Sequence, residues 1–382
     1  MMKKAVGGAV AAAILAACGG HLQDPLPTLD GNPTMVAAHR GASGYLPEET
    51  VEAYAKAIEM GADAIEPDVI STKDGVLIAR HDPNLAFSTD VAQHPEFAGR
   101  KRKLSVDGEV QDGWFASDFT LAEIKTLGGI STDAERPQQF NGRYRIATIQ
   151  EVIDMIKNSG RNIAIYPETK NPTFHRQQGL PLEDKLLAML SAAGWTEREA
   201  PVFIQSFEPG SLKYMRSKGS RLKMVQLIDA DDVDLKTGAL TYAAPYDKPF
   251  DWAQAGDKRL FGEMVTPAGL AEIKTYADGI GPWKRYIVSV KGAVDINGDG
   301  KVNDADATTM EPTLLVADAH KAGLFVHPYT FRNEKRRLAS NYKGDPALEY
   351  KQFFALGVDG LFTDFADTAL AAREQYLKEA RR

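Results

Sequence analysis

From Thr34 onward the chain alternates between short apolar runs and amphipathic stretches, and that alternation narrows the architectures open to it. Runs of strand length stand at 35–38, 64–70, 76–79, 162–166, 202–206, 224–228, 324–329 and 360–363. Between most of them lie stretches with helical spacing. In 50–60 the apolar positions are Val51, Tyr54, Ala55 and Ile58; 182–193, 210–218, 312–322, 347–355 and 366–377 follow the same pattern. Gly61, Gly194, Gly219, Gly323 and Gly357 close several of these just before a strand, where helices end in a left-handed residue. The strand runs are rich in Ile and Val, as parallel strands buried on both faces are. Repeated β–α units predict an α/β fold, a (β/α)8 TIM barrel with insertions after the second strand and in the second half. A doubly wound sheet is the alternative, but it would carry a Gly-rich phosphate loop, and none is found.

Two segments interrupt the alternation. Residues 84–144 are long and polar and carry Trp114, Phe115 and Phe119; residues 230–262 carry Tyr242, Tyr246, Phe250, Trp252 and Phe261. Long ordered insertions of this kind are often binding caps. The first follows His81 directly and is expected to sit over the site.

The N-terminus reads as export machinery. Lys3 and Lys4 precede an apolar run ending in Leu15-Ala16-Ala17-Cys18, so 1–17 is predicted to be a signal peptide. The pattern resembles the bacterial lipobox, and Cys18, the sole cysteine, stands where lipid would be attached. Residues 18–33 then form a lipidated cysteine and tether, and 34–382 one barrel domain. The expected location is the cell envelope, held by a lipid anchor. By resemblance to enterobacterial sorting signals, Gly19 and Gly20 after the cysteine, in place of an aspartate, imply the outer membrane, facing periplasm or surface. The formal net charge of −7 argues against nucleic acid as a partner.

Chemistry collects where barrel strands end. The run 35–38 leads to His39 and Arg40, and Glu66 and Asp68 point to one face of the next strand, where they can share a cation. Further along come His81-Asp82, Glu168 and Lys170, Gln205-Ser206, His327 with Tyr329, and Asp364. Histidines suit proton transfer near neutral pH, and arginine offers a forked donor for an anionic oxygen. These are the parts of a metal-assisted phosphodiester hydrolase.

His39-Arg40-Gly41, Pro47-Glu48, Glu66-Pro67-Asp68, His81-Asp82-Pro83, Glu168-Thr169-Lys170 and Gln205-Ser206-Phe207 together resemble the glycerophosphodiester phosphodiesterase family. The segment Tyr276 to Pro282 resembles its periplasmic branch. The resemblance implies hydrolysis of small glycerophosphodiesters to sn-glycerol 3-phosphate and an alcohol. His39 and His81 would be base and acid. Glu66, Asp68 and Glu168 would bind one divalent cation, Ca2+ or Mg2+. Arg40, Lys170, Gln205 and Tyr329 would contact substrate. Glu49 stands where relatives usually have Asn or His, and Phe331 near a usual Trp, a change expected to alter substrate packing. A phospholipase D-like action on intact lipids and a ligand-binding surface lipoprotein are the alternatives.

A second metal signal is independent of that family. Asp295, Asn297, Asp299, Asn303 and Asp306 occupy positions one, three, five, nine and twelve of a loop, with Gly300 at six and Lys301 at seven. This is the EF-hand calcium spacing. The loop 295–306 falls between an expected strand at 278–282 and the helix at Pro312, and is expected to hold a structural Ca2+. Oligomeric state is not legible.

Overall fold

The computed structural model describes residues 26–380. The predicted signal peptide and Cys18 lie outside the described residues. Eight parallel strands form a ring. β1 is Met35–His39. β2 runs as Ala64–Glu66 and Asp68–Ser71 on either side of Pro67, and β3 as Ala164–Ile165 and Glu168–Thr169. β4 (Phe203–Ser206), β5 (Lys223–Ile228), β6 (Gly279–Pro282), β7 (Phe325–Val326) and β8 (Gly360–Thr363) follow. Neighbouring strands pair in order, with Ala37 beside Ala64, Ile65 beside Ile165, Glu168 beside Gln205, Val225 beside Gly279, and β1 returning to β8. Across the β7–β8 seam, Asp359 N donates to Val326 O (2.9 Å), Phe362 N to Pro328 O (3.0 Å) and Phe331 N to Phe362 O (2.8 Å).

The helices alternate with the strands: α1 (Val51–Met60), α2 (Ile149–Asn158), α3 (Glu183–Ala192), α4 (Pro209–Ser217), α5 (Pro267–Lys274), α6 (Leu315–Lys321), α7 (Pro346–Ala355) and α8 (Ala366–Ala380). Their starts are set locally. Thr50 and Thr148 accept from the amides of Ala53 and Glu151, caps worth roughly 1 kcal/mol each. Gly61, Gly194, Gly219, Gly323 and Gly357 all have positive φ. The main core lies between ring and helices and includes Val36, Ile65, Ile204, Met224 and Leu361. Inside the ring, Tyr166 stacks on Phe203 at 5.0 Å and meets Phe362 edge-on at 4.8 Å, and its hydroxyl lies 2.9 Å from His327 Nδ1. The barrel is thus plugged beneath the site.

One strand expectation changes. The run 76–79 is not a ring strand; Leu77–Ala79 folds back antiparallel onto β2. Thr72 N donates to Val76 O and Gly75 adopts φ 78°, a turn too short for a parallel crossover. Its place in the ring belongs to Gly279–Pro282. A Cβ at Gly279 would stand 2.2 Å from the Phe325 ring, and one at Gly281 2.6 Å from the Leu227 side chain. Close neighbours therefore require the two glycines of this strand.

The segment 84–144 carries a hairpin, Arg102–Val106 against Glu109–Gly113, over a small core that includes Leu85, Val91, Phe119 and Ile124. The segment 230–262 carries a two-stranded ribbon, Asp232–Asp234 with Ala239–Thr241, and the short helix Phe250–Gln254. The Tyr246 hydroxyl donates to Glu109 Oε2 at 2.8 Å, joining the two insertions.

Candidate active site

The C-terminal ends of the strands open into a cavity of about 510 Å3, lined by His39, Arg40, Glu66, His81, Glu168, Lys170, Gln205 and Tyr329 among others. Val106, Asp107, Glu109 and Gln111 of the first insertion and Tyr246, Lys248 and Phe250 of the second also line it.

At its floor, Glu66, Asp68 and Glu168 each offer an oxygen within 4.8 Å of the others, the only such acidic or histidine group among the described residues. Pro67 and Pro167 give it its shape: proline has no N–H, and the ladder steps over both. Glu168 N donates to Pro67 O and Gln205 N to Pro167 O, so both strand breaks occur at one level. Asp68 is 1% exposed, and neither of its oxygens has a well-directed hydrogen bond. Arg40 Nε lies 3.0 Å from one and Lys170 Nζ 4.0 Å from the other. Burial alone would raise the Asp68 carboxyl, but Lys170 and Arg40 hold it well below the usual range. Burial drives Glu168 up to about 8, with Asp68 adding to the rise, and raises Glu66 strongly. Two buried carboxyls with raised proton affinity, Glu66 and Glu168, beside an ionised Asp68 whose oxygens lack a directed hydrogen bond, match a hard divalent cation, which would replace the protons. Glu66 is aimed by Gln205 Nε2, which donates to Oε1 at 2.9 Å, and by Arg40 N, which donates to Oε2 at 2.8 Å.

His39 closes β1. Its Nδ1 lies 2.6 Å from Asp364 Oδ1 at the end of β8, which leaves Nε2 for the cavity. Burial and then the Arg40 charge lower it to about 4, with Asp364 opposing, so it stands neutral. Asp364 is held ionised by Arg332 Nε (2.8 Å) and Arg136 Nη2 (2.5 Å). His81, with its side chain 32% exposed, sits 3.1 Å from Asp82. Gly41, after His39-Arg40, has φ 85°, and a Cβ there would stand 2.8 Å from the Ala53 carbonyl carbon. Arg40 (φ 57°) and Glu49 (φ 61°) are also left-handed, strain of the kind that gathers at functional sites.

The chain matches the Glycerophosphoryl diester phosphodiesterase family over residues 39–368. It belongs to that family. Among its relatives, a glycerophosphodiester phosphodiesterase of Arabidopsis thaliana is 42% identical, over 86% of this chain and 82% of that one. The Haemophilus influenzae enzyme of the same name is 31% identical over 94% and 95%. Of solved structures, an Oleispira antarctica phosphodiesterase in complex with the product sn-glycerol-3-phosphate superposes with TM-score 0.56 at 18% identity, covering 91% of this chain and 99% of that one. A glycerophosphoryl diester phosphodiesterase of Silicibacter pomeroyi gives 0.59 at 19%, covering 92% and 98%. The protein is thus a glycerophosphodiester phosphodiesterase on a TIM-barrel frame.

Within this enzyme, some side chains stand where their expected tasks require and others do not. His39, His81, Glu66 and Glu168 line one cavity, with Asp68 buried against Glu66 and Glu168. Lys170 pairs with Glu168 at 2.9 Å and Arg40 with Glu48 at 3.1 Å, while both also lie near Asp68. Gln205 serves Glu66, and the Tyr329 hydroxyl donates to Ile228 O at 3.0 Å, leaving its ring at the cavity wall. Phe331 is fully buried against Tyr350 and Phe353, so it belongs to the core and not to substrate packing. Glu49 is buried, bonded to the Tyr54 hydroxyl and to Asp68 N. Arg136 and Arg332 gave no sequence signal for their part beside Asp364.

The loop 295–306 lies between β6 and α6. Asp295 accepts from the amides of Gly298 (2.7 Å) and Gly300 (2.9 Å). Asp306 accepts from Ile296 (2.9 Å) and Asn303 (3.0 Å). Arg285 Nη2 ties Asp304 to the barrel at 2.7 Å.

Proposed function

We propose that the enzyme is metal-dependent and hydrolyses small glycerophosphodiesters to sn-glycerol 3-phosphate and an alcohol, with His39 and His81 moving the protons. The observation that carries this is the convergence of Glu66, Asp68 and Glu168, with no directed hydrogen bond to Asp68, at the cavity both histidines line. These three residues would hold Ca2+ or Mg2+, which supplies positive charge for the phosphoryl oxygens and the attacking oxygen.

Neutral His39 takes the proton of a substrate glycerol hydroxyl as that oxygen attacks phosphorus, and Asp364 stabilises the imidazolium that forms. His81 gives a proton to the departing alcohol, completing a cyclic phosphate. Water then opens the ring with the two histidine roles exchanged, so protons balance over the cycle. Arg40 and Lys170 hold the non-bridging oxygens. A cavity of about 510 Å3 roofed by two insertions suits a deacylated substrate better than a diacyl lipid.

The test is release of sn-glycerol 3-phosphate from glycerophosphocholine by purified protein with Ca2+ or Mg2+, with and without chelator. Activity should vanish on chelation and in Glu66→Ala. Metal-independent turnover, or none with either ion, would overturn the proposal.

Two further proposals rest on sequence alone. The loop 295–306 takes a structural Ca2+ through Asp295, Asn297, Asp299, Lys301, Asn303 and Asp306. The chain is exported and anchored through Cys18, in the outer membrane.

A further inference from the structure

The cavity has an unequal balance of charge. Each of its basic side chains has an acidic partner: Arg40 with Glu48, Lys170 with Glu168, Arg332 with Asp364, and Lys248 with Asp247 at 3.6 Å. Four lining carboxyls, Asp107, Glu109, Glu208 and Asp229, have no Lys or Arg ion pair among the described residues. Their hydrogen-bond partners are neutral. Asn171 Nδ2 donates to Asp107 at 2.6 Å and the Tyr246 hydroxyl to Glu109 at 2.8 Å. The Thr173 hydroxyl donates to Glu208, and the Tyr329 hydroxyl lies against Asp229. Asp107 Oδ1 is buried without any partner. These acids come from the first insertion, from the loop after β4 and from just past the end of β5, so the acidic wall is not one stretch of chain.

The wall also has a position relative to the chemistry. Asp229 lies close enough to Lys170 and His81 for their charges to act on its carboxyl, and Tyr246 close enough to feel Asp82 and Asp229. Asp229 therefore stands on the side of the more exposed histidine, where the alcohol leaves, and Tyr246 links it to Glu109. Phe207, Tyr246, Phe250 and Trp283 add aromatic rings to the same lining. Burial lifts Asp107 to about 6 and Glu208 to about 8, a cost that a cation in the cavity would relieve.

We infer that the leaving-alcohol side of the cavity selects a head group carrying a positive nitrogen, an amine or quaternary ammonium, in preference to a neutral polyol. The inference rests on the phosphodiesterase proposal and names the class of alcohol it releases. Carboxylates beside aromatic faces recognise such cations by charge and by cation–π attraction.

The experiment compares kcat/KM for glycerophosphocholine and for glycerophosphoglycerol at saturating Ca2+, and measures inhibition by free choline. The expected ratio favours the choline diester by about tenfold or more, the effect of roughly one such charge contact. Choline should compete with the substrate. Asp229→Asn and the exposed-site Glu109→Gln should each reduce the ratio several-fold, through KM for the cationic diester. A ratio near one, or a ratio unmoved by both variants while their melts match the parent, overturns the inference. No turnover of either diester would instead overturn the activity on which it rests.

Discussion

Asp364 contributes through His39. It is fully buried, yet two arginines and one histidine share its carboxylate. An anion so placed fixes the tautomer of His39 and stabilises the imidazolium formed when His39 takes a proton. Asp364→Asn keeps the shape and removes the charge. Its expected effect is a fall in kcat of about a hundredfold with KM little changed, the loss general acid–base help represents. The pH dependence has a definite sign. His39 is lowered to about 4 and must be neutral to act as base, so kcat/KM at saturating metal should hold as pH falls through 6 and decline only nearer 4 to 5. Asp364 raises that value, so Asp364→Asn should push the acid limb lower still. A pH–rate profile of both proteins, with melts to establish folding, checks both signs; a limb near 6.5 in the parent would count against neutral, buried His39. His39, Arg40, Glu66 and Asp68 were legible because each sits at a strand end inside a short local motif. Arg136 was not, because it meets an aspartate 228 positions away across an insertion with no periodic pattern.

At the scale of elements, most of the barrel could be read from period and glycine punctuation, since helices α1, α3, α4, α7 and α8 end or begin within a few residues of where spacing puts them. The failures have physical causes. Leu77–Ala79 has the apolar content of a ring strand but only a tight turn before it, whereas the strand expected at 278–282 does take a place in the ring, as Gly279–Pro282. α2 begins just past the first insertion and went unread, although its capping box, Thr148 with Glu151, is a local signal. The calcium loop is an element whose proposed ion can be separated from the active-site ion. Its carboxylates Asp295 and Asp306 already gather the loop amides, and Arg285 fastens Asp304 to the end of β6. In a Glu66→Ala background, which weakens the active-site ion, millimolar Ca2+ should still raise Tm by a few degrees, as binding at about a hundredfold excess over Kd stabilises by roughly 2.7 kcal/mol. Asp295→Ala or Asp306→Ala on that background should abolish the Ca2+-dependent shift. A shift that survives both substitutions would mean that the loop is not the second ion's seat.

For the whole molecule, the question is which way the mouth of the barrel faces if Cys18 is lipidated. The first described residues pack against the other end of the ring. Leu29 N donates to Asp359 Oδ1, Thr34 Oγ1 donates to Val358 O, and a Cβ at Gly357 would stand 2.4 Å from Pro27 O. All three contacts lie just before β8 begins, whereas His39, Glu66 and Glu168 stand where β1, β2 and β3 end or break. The chain from Cys18 to Leu26 can span at most about 3.5 Å per residue, under 30 Å in all, so an anchor there holds the closed end of the barrel toward the bilayer. The cavity then faces away from the lipid and takes dissolved substrates. In cells, the parent should fractionate with membranes and label with palmitate, and Cys18→Ser should do neither. Hydrolysis of glycerophosphocholine per molecule should match between the two forms, because the mouth is open in both. Diacyl phosphatidylcholine in vesicles should be cleaved by neither form. Cleavage of the diacyl lipid by the anchored form would show that the mouth reaches the membrane and would favour the phospholipase alternative.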